Sequence, residues 1–239
     1  MNSELDKVYT EWEEEVLLPF LNKKECKNKY SLPFYIGKPS QYNKNQKTIM
    51  IIGQETNNFG KYNKEWSRNR IQKWCGDYID RQVFGIDNGL KYNTSPFWKF
   101  FREFHKYNYN LIWNNLDKIH RYENNQTEEL TEKEEKILNR RYGEVNKSLL
   151  EREIDIFNPD IIIFLTGPRF ILSMATSFGV QQSTLSSIKP TINKVCSEIS
   201  GILGINRPAF WTYHPGFLSR KKKFVECIHY IQNSINIRN

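Results

Sequence analysis

The chain has 239 residues, 38% of them hydrophobic. That length and core fraction fit one large α/β domain over residues 1–239, with an N-terminal helix and loop at about 1–47 and a core at about 48–239. Lys and Arg outnumber Asp and Glu by 35 to 27, a net charge of +8, which favours an anionic partner, nucleic acid before a membrane surface. No run reaches the ~18–20 apolar residues of a spanning helix, so no transmembrane helix is expected.

Ser3 is placed to cap a first helix reaching about Phe20, with Trp12, Val16 and Leu17 at helical spacing toward a core. Residues 22–47, rich in Lys, Asn, Pro and Tyr, read as loop. Thr48–Ile52 is a short, continuously apolar run of the kind that forms a buried parallel strand, and it ends in the polar, glycine-bounded segment Gly53–Gly60. Residues 61–94 carry Trp66, Arg68, Arg70 and Trp74 without a clear period and read as a partly helical excursion. Ser95 and Pro96 form an N-cap and first-turn pair for a helix through Phe104, and Asn110–Asn115 reads as a strand ending in paired amides. Residues 123–157 are strongly charged and predicted helical, with a break near Tyr142-Gly143.

Asn158-Pro159-Asp160 then punctuates the chain before the apolar run Ile161–Leu165. Gly167-Pro168 turns that strand into a helix over 169–178, and residues 181–207 read as a further helix or an irregular excursion. Ala209–Tyr213 is a fourth buried strand, broken by His214-Pro215-Gly216 and followed by a basic helix over about 219–235. Four buried strands separated by helical stretches predict a three-layer αβα fold around a central, mainly parallel four-stranded sheet. Ligands bind such sheets at the carboxyl ends of the strands, where Glu55, Asn114 and His214 fall. On residues alone His214 reads equally well as a structural residue at a strand–helix turn.

Four segments in order resemble the uracil-DNA glycosylase superfamily. Gly53-Gln54-Glu55 is similar to the G-Q-D start of that family's water-activating loop. Ser95-Pro96-Phe97-Trp98-Lys99 is similar to its base-stacking segment, Leu111-Ile112-Trp113-Asn114 to its L-L-L-N strand, and His214–Ser219 to its H-P-S-P-L-S loop. The resemblance implies catalysis by Glu55 and His214, and base contacts from Gln54, Asn57, Phe97 and Asn114, with Asn115 competing for the reader role. It implies DNA contacts from Phe217, Leu218, Ser219, Arg220 and Lys221, with Leu218 or Phe217 entering the base stack. The implied activity is a monofunctional DNA glycosylase that flips out a pyrimidine and leaves an abasic site.

The departures from the family pattern shape the substrate expectation. Family members specific for uracil follow the loop's acid with Pro-Tyr, and the tyrosine excludes 5-substituted bases; Thr56-Asn57 stand there instead. That extends the expected substrate to a bulky modified cytosine of phage DNA, as in antiphage defence. Uracil or mismatch repair is the alternative, and a non-catalytic DNA- or nucleotide-binding relative is the second alternative. Cys26, Cys75, Cys196 and Cys227 form no C-x-x-C pair, so neither a metal nor another cofactor is expected. The same cysteine usage and the absence of a signal-peptide core near Met1 predict a cytoplasmic protein, expected as a monomer.

Overall fold

The computed structural model describes residues 2–23, 26, 29–56, 59–63, 65, 67–85, 94–124 and 126–236. The apolar runs of the sequence become fully buried strands because helices cover both faces of one sheet. In chain order, α1 (Asn2–Trp12) continues through a π-helical turn (Glu13–Leu17) into α2 (Leu18–Leu21), and β1 spans Thr48–Gly53. Next come α3 (Arg68–Ile79), a π-helical turn at Asp80–Phe84, α4 (Pro96–His105) and β2 (Asn110–Asn115). A hairpin of β3 (Arg121–Glu123) and β4 (Gln126–Glu128) precedes α5 (Glu132–Leu138), α6 (Leu149–Phe157) and β5 (Ile161–Phe164). A 3-10 turn (Pro168–Phe170) leads into α7 (Ile171–Phe178), followed by α8 (Gln182–Ile188), β6 (Cys196–Glu198), β7 (Ala209–Thr212), α9 (Pro215–Arg220) and α10 (Phe224–Asn236).

The central sheet has five strands in the order β2-β1-β5-β7-β6. Four are parallel, and β6 pairs antiparallel with β7 in the register Cys196↔Thr212. The expected sheet therefore gains an edge strand. At three residues, Cys-Ser-Glu, β6 is too short and too polar to show as an apolar run. Along β1, Met50 and Ile52 enter one apolar cluster with α1, α6 and α7, while Ile49 and Ile51 enter a second with α4 and α10. This alternation makes the three layers.

Local chemistry explains most of the remaining boundaries. Thr131 and Ser148 each form a capping box, with Glu134 and Glu151, so the charged stretch 123–157 splits into α5 and α6. The β3–β4 hairpin at its start was expected to be helix; its strands are three residues long and polar, giving no strand signal. The predicted loop after α2 holds no long strand or helix among its described residues, yet Phe34, Tyr35 and Ile36 are buried. Its backbone is satisfied from outside, the Ser31 and Phe34 amides donating to the carbonyls of His120 and Lys118 at 3.0 and 2.7 Å. The closing helix is two helices, not one. Pro215 opens α9 four residues earlier than expected, and Lys222, at φ 58°, separates α9 from α10. Among the described residues no helix is long and apolar enough to cross a membrane.

Candidate functional site

Two strands of the parallel sheet, separated by β5, deliver the two expected catalytic residues to one cavity of about 620 Å³. Beyond β1, Gln54, Glu55 and Thr56 line it; beyond β7, His214 does, with Phe97 from the first turn of α4. The segment carrying Glu55 is pinned on both sides. Gln54 donates through Nε2 to the Thr166 carbonyl at 2.9 Å. Thr56 is buried, its hydroxyl 2.8 Å from His120 Nδ1 and 3.0 Å from the Ser31 hydroxyl. Gly53 is required where the loop begins, because a Cβ there would lie 2.6 Å from Asn115 Oδ1 and 3.3 Å from the Phe97 ring.

Glu55 Oε2 is buried and has no hydrogen-bond partner among the described residues. Its carboxyl is pushed up to about 8, first by burial and then by the nearby Asp117 carboxylate, with Arg169 pulling the other way. Asp117 is itself buried and raised to about 6, chiefly by desolvation, although Asn139 donates to its Oδ1 at 2.6 Å. Glu55 is therefore poised near neutrality rather than fixed as an anion.

His214 caps α9. Its Nδ1 accepts a hydrogen bond from the Gly216 amide at 3.1 Å, which leaves the proton of the neutral ring on Nε2. Burial, and then the charge of Arg220, lower its pKa, so the ring is neutral near pH 7. The imidazole lies nearly parallel to Phe97, at 12° with centroids 5.9 Å apart. A neutral N–H donor and a carboxyl group thus share a cavity with a flat aromatic wall.

Two expected site residues are not where the resemblance puts them. Asn114 is fully buried away from the cavity, its amide donating to Glu153 Oε2 at 2.9 Å and its oxygen accepting from the Lys118 ammonium. Lys118 pairs with Glu153 at 2.6 Å, and Tyr9 donates to the other Glu153 oxygen at 2.9 Å. Asn114 is thus part of a buried ion-pair network behind the sheet. Its neighbour Asn115, paired in register with Gly53, lines the cavity, and its Nδ2 is buried without a partner among the described residues. Successive strand residues point to opposite faces, so Asn115 rather than Asn114 faces the cavity. Leu218 has no exposed surface and packs beneath α9 with Cys227 and Ile228, so it is not available to enter a base stack. Phe217 is half-buried and stacked on Tyr213 at 4.4 Å, while Ser219, Arg220 and Lys221 are exposed. Asn57 lies outside the described residues.

Several lining residues escape a reading of the sequence alone. Arg169, in the 3-10 turn after β5, forms an ion pair with Glu129, and Thr127 and Glu128 of the hairpin line the same cavity. Trp74, Tyr78, Trp98 and Trp113 complete its aromatic wall. Trp74 and Tyr78 sit four apart on α3, a helical spacing visible in the sequence, but nothing there says that they face Phe97 rather than the core. The four cysteines are buried and unbridged. Among the described residues no group of three or more His, Cys, Asp or Glu is arranged to hold a metal ion. No protein-family model and no curated protein matches the chain.

Proposed function

We propose that the protein is a monofunctional DNA glycosylase of the uracil-DNA glycosylase type, acting on an extruded pyrimidine and admitting a bulky modified cytosine. The observation that carries this reading is the meeting of Glu55 and the Nε2–H of a neutral His214 in one cavity walled by Phe97. The base stacks on Phe97, and Asn115 Nδ2, which has no partner among the described residues, donates to its edge. As the bond from sugar C1′ to the base nitrogen breaks, its electron pair leaves with the base, and His214 stabilises the developing oxyanion by hydrogen bonding. Ionised Glu55 stabilises the cationic sugar and accepts a proton from the attacking water, whose oxygen forms the new bond to C1′. A modified phage base as substrate makes antiphage defence the corresponding role.

A second reading has its own support. The raised Glu55 carboxyl is mostly protonated at pH 7, which suits hydrogen-bonded capture of a base or nucleotide without hydrolysis. The two readings separate on base release from duplexes carrying uracil, a thymine mismatch or a modified cytosine, followed by mass spectrometry. A glycosylase yields free base and an alkali-labile site, and Glu55→Gln abolishes release while DNA binding persists. DNA binding with no release from any duplex favours the binding module.

A further inference from the structure

The cavity is larger than its base-handling end requires. About 620 Å³ falls in the ~300–1,000 Å³ range that encloses a whole drug-sized ligand, well beyond one pyrimidine ring. The surplus is chemically distinct. Trp74, 41% exposed, stacks on Tyr78 at 5.1 Å and 28°, with Phe59 edge-on at 4.9 Å. Tyr78 continues the wall to Trp98 at 5.3 Å, and Trp98 meets Phe97 at 5.1 Å. The indole therefore stands two rings away from the surface assigned to the base. Glu128, Glu129 and Arg169 line the same cavity, the latter two as an ion pair, and the base chemistry uses none of them.

That combination selects among possible occupants. An alkyl substituent would cover the indole but strip water from the carboxylates and the guanidinium without replacing their hydrogen bonds. An anionic substituent would face the carboxylates of Glu128 and Glu129 against the Arg169 cation, which is itself paired with Glu129. A neutral polyhydroxylated ring satisfies both requirements, with C–H groups against an aromatic platform and hydroxyls bridging carboxylate and guanidinium oxygens and nitrogens. We propose that this annex holds a sugar attached to the excised base, so that the preferred substrate is a glycosylated pyrimidine in DNA. The inference rests on the glycosylase reading only for the placement of the base.

The test uses duplexes differing at one position, which carries uracil, 5-hydroxymethylcytosine or glucosylated 5-hydroxymethylcytosine. Binding is measured with the Glu55→Gln protein and base release with the native protein. The glucosylated duplex is expected to bind at least about tenfold more tightly than the other two. Trp74→Ala should bring it down to their level, and Trp74→Phe, which keeps a platform, should retain most of the preference. Equal binding of the three duplexes, or equal weakening of all three by Trp74→Ala, overturns the annex. So does base release from uracil or 5-hydroxymethylcytosine at a kcat/KM matching that of the glucosylated base, although the glycosylase reading survives that result. Selective binding lost in Trp74→Ala, with no base released from any duplex, keeps the annex and removes the glycosylase reading instead.

Discussion

At neutral pH the Glu55 carboxyl, pushed up to about 8, carries its proton in most molecules, and it must lose that proton before it can act as a base. For the proposed hydrolysis, kcat/KM should rise about tenfold per pH unit below pH 8 and level off above it, since this parameter reports the free enzyme. Asp117→Asn removes the second cause of the shift, so the rising limb should move to lower pH while the plateau stays. A profile unmoved by that change would separate Asp117 from Glu55. The same shift has a stability consequence of definite sign. A carboxyl whose folded pKa lies above its unfolded value favours the fold at low pH, and that contribution fades as pH rises through the folded pKa. Glu55→Gln should therefore melt about 4–8 °C above the native protein at pH 9, the equivalent of about 2 kcal/mol, with the gap closing toward pH 4. His214 calls for a different readout. Its Nε2–H is proposed to act only as charge develops on the base, so His214→Ala should lower kcat by about 10²–10³ with little change in DNA affinity.

At the end of β2, two adjacent amides of the same type have opposite fates, and mutation can tell them apart. Asn114→Ala leaves the Lys118–Glu153 pair short of a partner and should destabilise the fold by about 1–3 kcal/mol, read as a lower denaturation midpoint, without changing which base is chosen. Asn115→Ala should leave the midpoint nearly unchanged and lower kcat/KM. Choosing between these residues from the sequence needs the strand's facing, and that depends on which neighbour supplies room. Gly53, opposite Asn115, supplies it; Ile52, opposite Asn114, does not. The apolar strands were legible because burial on both faces demands continuous apolar runs, and the start of α4 because Ser95-Pro96 marks it. The tips of β1 and β7 were legible for the same reason, which is why Glu55 and His214 could be placed together. β6 and the β3–β4 hairpin were not, since three-residue polar strands are specified by their partners' backbones rather than by their own pattern. Leu218 was misplaced because Pro215 was taken to break the chain. At the first position of α9 it instead starts a helix, whose inner face buries the leucine.

Over the whole molecule, the excess of eight positive charges matters less than where the charges stand relative to the cavity. The exposed Arg220, Lys221 and Lys222 stand at the far end of the short helix that His214 caps, whereas Glu128, at the end of the hairpin, and Glu129, just after it, line the same cavity. A phosphate backbone is attracted by the first group and repelled by the second, so duplex DNA should lie along the α9 end with the hairpin kept clear of phosphates. Each phosphate neutralised by a lysine or arginine contributes ~0.9 to the slope of log affinity against log salt. Neutralising Lys221 and Lys222 together should therefore flatten that slope by up to about 2, weaken binding alike for every base at the target position, and leave kcat at saturating DNA unchanged. Arg220→Gln should flatten the slope too, but it also removes a charge that lowers the His214 pKa, so on the acid limb set by Glu55 its kcat/KM should fall more steeply than that of the native protein. Replacing Glu128 and Glu129 by glutamine should tighten DNA binding without restoring a slope lost at Lys221 and Lys222. If the lysine changes left the slope intact and the glutamate changes altered it, the duplex would have to approach from the hairpin side. Phe217 would then lie away from the DNA, and the base would have to enter the cavity past Trp74 rather than past His214.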